Sequence, residues 1–227
     1  MKCNGCPCWG VVMTLLMAVG LLVLLIFVAR SNNNKSKEIF FQNMQINRLE
    51  DSLKSINNKQ SKLKAIEKSL IIKYGIPSYE ARHYAIIYDE FSTKYNISWE
   101  VYPCMIWVES RFLPMLISDH DAVGIAQVKE STAKSVCKQL NITYNKHILF
   151  NSITCHVIGL TYLSDMINKN GINDGLRSYI GGPSFKKGCN EIESYVDAIK
   201  KESMILHYIY VGVSKGDTTM IFTNTLK

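Results

Sequence analysis

Hydrophobic and polar positions fall into three regimes along the 227 residues. The first is an uninterrupted apolar run, "VVMTLLMAVGLLVLLIFVA" from Val11 to Ala29, whose helix spans about 28 Å at about 1.5 Å per residue and so matches the hydrocarbon core of a bilayer. It predicts a transmembrane anchor within residues 1–30. Phe27 stands where signal peptidase takes a small residue before a cut after Ala29, which favours an uncleaved anchor. In the second regime, residues 31–76, Ile46, Leu49, Leu53, Ile56, Leu63 and Leu70 recur at alternating three- and four-residue spacing, with Gln60 and Glu67 interrupting the seam. This predicts a helical stalk or linker. It either coils with a second copy of itself into a homo-oligomer or lies as an amphipathic helix on the domain that follows, and both readings stay open. The third regime, residues 77–201, is densely helical: "SYEARHYAIIYDEFSTKY" opens with Ser78 as N-cap and "SWEVYPCMIWVES" with Ser98. Pro103 falls in the first turn or so of that second helix, where a missing N–H does least harm. In the tail, residues 202–227, "HYIYVGVSKGDTTMIFTN" places β-branched and aromatic residues around Lys-Gly-Asp and predicts a hairpin.

Composition narrows this picture. With 47% hydrophobic residues the chain can bury one sizeable core but hardly two, so one catalytic-size domain with an appendage is expected. The formal charge of +7 suits nucleic acid, anionic lipid or an acidic wall polymer. No run of aromatics interleaved with Arg marks a nucleic-acid surface, so no nucleic-acid partner is expected. Around the anchor, Lys2 lies on one side and Arg30, Lys35 and Lys37 on the other, which by charge alone keeps the C-terminal part inside. The cysteines argue the opposite: Cys104, Cys137, Cys155 and Cys189 are even in number, permit three pairings and suit an oxidising compartment. Cys3, Cys6 and Cys8 read as free thiols. The five His residues show no ligand spacing, so no metal is expected, and His120, His147 and His156 read as surface or cleft-edge residues. The sequons at Asn96 and Asn141 matter only in a eukaryotic secretory pathway.

The stretch "ESRFLPMLISDHDAVGIAQ", Glu109 to Gln127, carries the chemistry. Glu109 closes an apolar helix bearing Met105, Ile106, Trp107 and Val108. A carboxyl dehydrated on one side and open to a polar loop on the other has a raised pKa and can act as a general acid. Here the residues resemble the lytic transglycosylases with a lysozyme-like domain of the soluble-transglycosylase type. Their Glu-Ser-x-Phe-x-Pro, Ser, Ala-x-Gly and Gln are matched in register by Glu109, Ser110, Phe112, Pro114, Ser118, Ala122, Gly124 and Gln127. At one chance match in about fifteen or twenty per position, eight matches are specific. Gly159, Tyr162 and Leu163, the segment "SYIGGP", and "EIESYV" resemble later motifs of the same family. The resemblance spans roughly Ile97 to Lys200.

The resemblance implies a mainly α, lysozyme-like (α+β) catalytic domain behind a transmembrane helix and stalk. It also implies cleavage of peptidoglycan strands between N-acetylmuramic acid and N-acetylglucosamine, with a 1,6-anhydro product and no cofactor. In that scheme Glu109 is acid, then base. Ser118 and Gln127 are polar contacts to the sugar or the acid, Tyr179 and Tyr195 line the cleft with Tyr195 in reach of Glu109, and Glu191 belongs to the same wall. The substrate places the domain outside the cytoplasm, on the periplasmic or cell-wall side, in wall turnover, a secretion apparatus, a conjugation channel or a virion. Departures are Ile180 where the family has Asn, Asp121 where it has Gly, and Ala126, Lys129 and Glu130 around Gln127 in place of a Met-x-x-Pro pattern. Two other readings stand beside this one: a hydrolytic muramidase using Asp119 or Asp121 as a second acid, and a peptidoglycan-binding or assembly protein with a weak or inert cleft.

Overall fold

A computed structural model describes residues 8–217, with side chains placed from Leu16 onward. The described residues form seven α-helices and one short 3-10 turn: α1 Cys8–Tyr74, α2 Ser78–Tyr95, α3 Val101–Ser110, α4 Glu130–Gln139, the turn Lys146–Phe150, α5 Ser152–Asn170, α6 Ile172–Gly181 and α7 Asn190–Lys215. The mainly α expectation holds. Among the described residues the β component is confined to two isolated antiparallel bridges, Ile117 with Val123 and Val123 with Val128. The chain divides into two compact units, Met1–Asn58 and Lys59–Lys227.

The first unit consists, in its described part, of α1 residues alone. It contains a helix segment long and apolar enough to cross a membrane, none of it buried. Further along, Ile46, Leu49, Leu53 and Ile56 are 50%, 64%, 58% and 55% exposed, so the apolar stripe is left uncovered among the described residues. The N-terminal cysteine side chains lie outside the described residues.

The second unit begins inside the segment read as stalk. Ala65, Ile66, Ser69 and Leu70 are buried, because the last turns of α1 supply an apolar face to the core shared with Tyr84, Tyr88 and Met105. Lys62 closes on the buried carboxylate of Asp89 at 2.6 Å. A fragment that starts at Ser78 therefore lacks part of its own core. Burial of Ile66 and Leu70 at about 1.5–3 kcal/mol each predicts that it is less stable than a fragment starting at Lys59 by roughly 3–6 kcal/mol. Thermal unfolding of the two checks this, and equal midpoints would contradict it.

Caps and termini differ from expectation in detail. The N-cap of α2 is Pro77, and the Ser78 hydroxyl donates to Glu67 Oε1 at 3.2 Å instead of capping. The N-cap of α3 is Glu100, and the Ser98 hydroxyl donates to the Glu100 carboxylate. The hairpin expected beyond residue 202 does not form over the described part. There α7 continues to Lys215 with Leu206, Ile209 and Gly212 buried at three-residue spacing, and Tyr210 meets Trp99 edge-on at 5.3 Å between ring centres. A buried stripe at helical spacing overrides the β-branched composition. Residues 218–227 lie outside the described residues.

Two expectations about buried groups are corrected. Cys104, Cys137, Cys155 and Cys189 are all free, and the first three are buried singly as small apolar side chains. Their even number thus carries no pairing and no argument about compartment. His156 is not at the surface but fully buried. Its ring stacks on Tyr84 at 4.3 Å, one nitrogen pairs with the Tyr88 hydroxyl at 2.9 Å and the other with the Ser152 carbonyl at 2.9 Å. Burial pushes its pKa down to about 4.

Candidate active site

Helix α3 ends where the chemistry needs it to. Arg111 and Phe112 both take left-handed backbone, φ 55° and 63°, which stops the helix after Ser110 and leaves Glu109 at the rim of a cleft. Both turns are held from the core side. The Ser110 hydroxyl donates to the Ile125 carbonyl at 2.6 Å, tying α3 to the following loop, and the Phe112 ring packs among Tyr74, Trp107 and Tyr84. The Glu-Ser-x-Phe pattern is thus a device for ending a helix and fastening the next loop to it.

That loop is built on itself. Ser118 Oγ accepts from the backbone N–H of Ala122 at 3.1 Å and of His120 at 3.3 Å, and the Gln127 side-chain amide donates to the carbonyls of Gly124 at 2.9 Å and Leu116 at 3.2 Å. Asp121 takes φ 58°, the conformation glycine adopts freely, and Asp tolerates it at modest cost. Gly124 lies against the chain at Leu149: a Cβ there would sit 2.1 Å from the Leu149 carbonyl oxygen.

The cleft, about 570 Å³, is lined by Glu109, Ser118, Gln127, Tyr179 and Glu191 among the residues expected from sequence. Tyr195 stands behind Glu109, 7% exposed, and donates its hydroxyl to Glu109 Oε1 at 2.6 Å. Burial raises the Glu109 pKa to about 7, and the Tyr195 hydrogen bond partly opposes that rise by favouring the carboxylate. Tyr179 donates to the Ala126 carbonyl at 2.6 Å. It is admitted by Gly159, where a Cβ would lie 2.5 Å from the Ala126 Cβ and 3.0 Å from the Tyr179 hydroxyl. The Ala126 that departs from the family pattern is therefore fitted against Gly159. Ile180 is 39% exposed and faces the cleft, so the family's Asn is replaced on the cleft wall itself. Asp119 and Asp121 are exposed and do not line it.

Sequence reasoning assigned no cleft role to Tyr162 and Thr132, whereas it read His120 as a surface or cleft-edge residue and Lys129 as a charge gained beside Gln127; the structure places all four on the cleft walls. Tyr162 packs against Tyr179 with ring centres 5.5 Å apart. It also missed the clamp that fixes α6, bearing Tyr179, to α7, bearing Tyr195. Arg177 donates through Nε and Nη2 to the Glu193 carboxylate at 2.6–3.1 Å and through Nη1 to Asp174 at 2.7 Å, and Lys187 takes the other Asp174 oxygen at 2.7 Å. No motif signals such a clamp, since charged residues at these spacings usually mark a solvated face.

The described residues hold no cluster of three or more His, Cys, Asp or Glu suited to a metal ion. What the site offers is one carboxyl whose pKa burial raises to about 7, a phenol that donates to it at 2.6 Å, and an open cleft of about 570 Å³. Compared with known protein families, residues 87–201 match the family described as transglycosylase SLT domain. No curated protein matches the chain.

Proposed function

The chain belongs to the transglycosylase SLT family, whose members are lytic transglycosylases acting on peptidoglycan, and from that premise we propose that Glu109 cuts the bond between N-acetylmuramic acid and N-acetylglucosamine without using water. As an acid, Glu109 gives its proton to the glycosidic oxygen while the C1–O bond breaks and the glucosamine leaves as an alcohol. As the resulting carboxylate it takes the proton of the muramic C6 hydroxyl, whose oxygen closes on C1. The carboxyl is thereby restored and a 1,6-anhydro ring remains. One residue serves both steps, in contrast to the two carboxylates of ordinary glycosidases.

The observation that carries this reading is the state of Glu109: half-buried at the cleft rim, with a pKa raised to about 7 by burial and a Tyr195 hydroxyl at 2.6 Å. A group titrating near the working pH is present in both forms, as an acid-then-base cycle requires. Ser118, Gln127, Tyr179 and Glu191 make up the sugar-binding walls in this proposal. Tyr195 is a positioning residue that steadies the carboxylate form.

Its removal gives a test with a definite sign. Because the Tyr195 bond lowers the Glu109 pKa, Tyr195→Phe leaves burial unopposed. The alkaline limb of the pH–kcat profile, set by loss of the acid, is then expected to move upward by about one pH unit, with kcat lower by roughly tenfold. A profile unchanged in position would remove Tyr195 from the account.

The apolar segment within residues 11–29 is proposed as the tether to a membrane, with the glycan-cutting domain outside the cytoplasm, where its substrate lies, and local wall opening as the outcome. The exposed stripe Ile46, Leu49, Leu53 and Ile56 supports self-association of the stalk. A second reading is a glycan-binding protein with a slow or inert cleft. Ile180 favours it, since an apolar side chain on the cleft wall gives no hydrogen bond to sugar.

A further inference from the structure

The cleft lining mixes acidic and basic residues. Glu109 and Glu191 supply its acidic groups, whereas Lys129 and His120 line it from the loop that runs from Ser118 to α4. Lys129 is held by its backbone on both sides. Val128 and Val123 exchange N–H···O bonds at 3.0 and 3.1 Å, and the Lys129 carbonyl accepts from Ala133 N at 2.9 Å. Its ammonium has no carboxylate partner among the described residues, while Lys134, one turn into α4, is taken by Glu130 at 2.7 Å. A cation based on fixed backbone, left unpaired and facing a substrate groove, is placed to meet an anion that the substrate brings.

The glycan strand offers one position where its charge changes. Alternate sugars are neutral, and the muramic sugar carries at C3 a lactyl group ending in a carboxyl, either free or amide-linked to a peptide stem that has carboxylates of its own. The geometry points to Lys129 as a specificity-determining residue that binds a carboxylate on this C3 substituent, with His120 as a second donor on the same wall. Glu191, also on the lining, would repel such a group. This inference rests on the glycan-cleft reading above and deepens it.

The test is binding by the full-length chain carrying Glu109→Gln, so that turnover plays no part. Three probes of matched length are used: peptidoglycan strands with stems, strands stripped by an amidase to free lactyl carboxylates, and neutral chitooligosaccharides. The expected result is about three- to tenfold tighter binding of at least one carboxylate-bearing strand than of the neutral one, as suits a solvent-accessible charged hydrogen bond. Stripped strands binding as well as stem-bearing ones assign the carboxylate to the lactyl group, and preference for stem-bearing strands alone assigns it to the stem. Adding Lys129→Gln brings the preference to about one, Lys129→Glu reverses it, and Lys129→Arg keeps it. No preference in the Glu109→Gln protein, or the same preference after Lys129→Gln, overturns the inference. Wall cleavage by the unsubstituted chain is scored separately: preference without cleavage sinks the catalytic reading alone, and cleavage without preference sinks this one alone.

Discussion

Glu109→Gln is expected to lower the rate of peptidoglycan cleavage by roughly a thousandfold or more while leaving the fold intact. The change is isosteric, and the amide oxygen can still accept from the Tyr195 hydroxyl now 2.6 Å away, so the cleft keeps its shape. What is lost is a proton that can be given and retrieved. General acid–base groups contribute about 10²–10⁴ in rate, and here one group serves both steps, so the loss belongs toward the upper part of that range. Stability should not fall: a carboxyl whose pKa is raised to about 7 by burial is a group that water would solvate better, and replacing it with a neutral amide relieves that cost. Muropeptide release, measured beside the unfolding midpoint, separates the two effects. Activity within tenfold of the unsubstituted protein would mean that Glu109 is not the acid.

Gly124→Ala is expected to act in the opposite sense, on the fold first and on activity through it. Gly124 has φ 79°, where an L side chain costs about 1–2 kcal/mol. A Cβ would also meet the Leu149 carbonyl oxygen at 2.1 Å and Cys155 Sγ at 2.8 Å. The first of these is backbone, so relief requires the loop to move away from the segment at Leu149, with an overpacking cost of roughly 1–3 kcal/mol. Together they predict a loss of about 2–5 kcal/mol and a midpoint lower by roughly 4–20 °C for a unit of this size. The same displacement pulls on Gln127, whose backbone N–H donates to the Gly124 carbonyl at 3.1 Å. Surviving folded protein should therefore also cut more slowly. An unchanged midpoint would show that the loop is not fastened at Gly124.

These two residues also mark what a single chain discloses. Glu109, Ser110, Phe112, Ser118, Gly124 and Gln127 were picked out by the family resemblance, and the structure supplies a local reason for the pattern: a helix stops after Ser110 and the loop that follows folds on its own backbone. His156 was not legible. Its burial is set by Tyr84 and Tyr88, both on α2 and far away in sequence, and an imidazole between two phenols looks the same in sequence as one at the surface. The Arg177 clamp failed for the same reason, since Asp174 is near in sequence but Glu193 belongs to the next helix. Beyond residue 202, local composition pointed the wrong way: β-branched and aromatic residues suggested strands, while the buried stripe of Leu206, Ile209 and Gly212 followed the helical period. The boundary of the second unit was hidden by continuity of pattern, because the spacing that ends in Leu63 and Leu70 is the same whether those residues face the core or a second copy.

The central claim is that one carboxyl, Glu109, performs both proton transfers and that the muramic C6 hydroxyl takes the place of water. The mass of the products tests it most directly. Purified peptidoglycan is digested with the full-length chain and with its Glu109→Gln variant, and the released muropeptides are weighed by mass spectrometry. The account predicts 1,6-anhydro-muropeptides, one water lighter than hydrolysis products, from the unsubstituted chain and none from the variant. Muropeptides carrying the added water would contradict it and make the enzyme a muramidase.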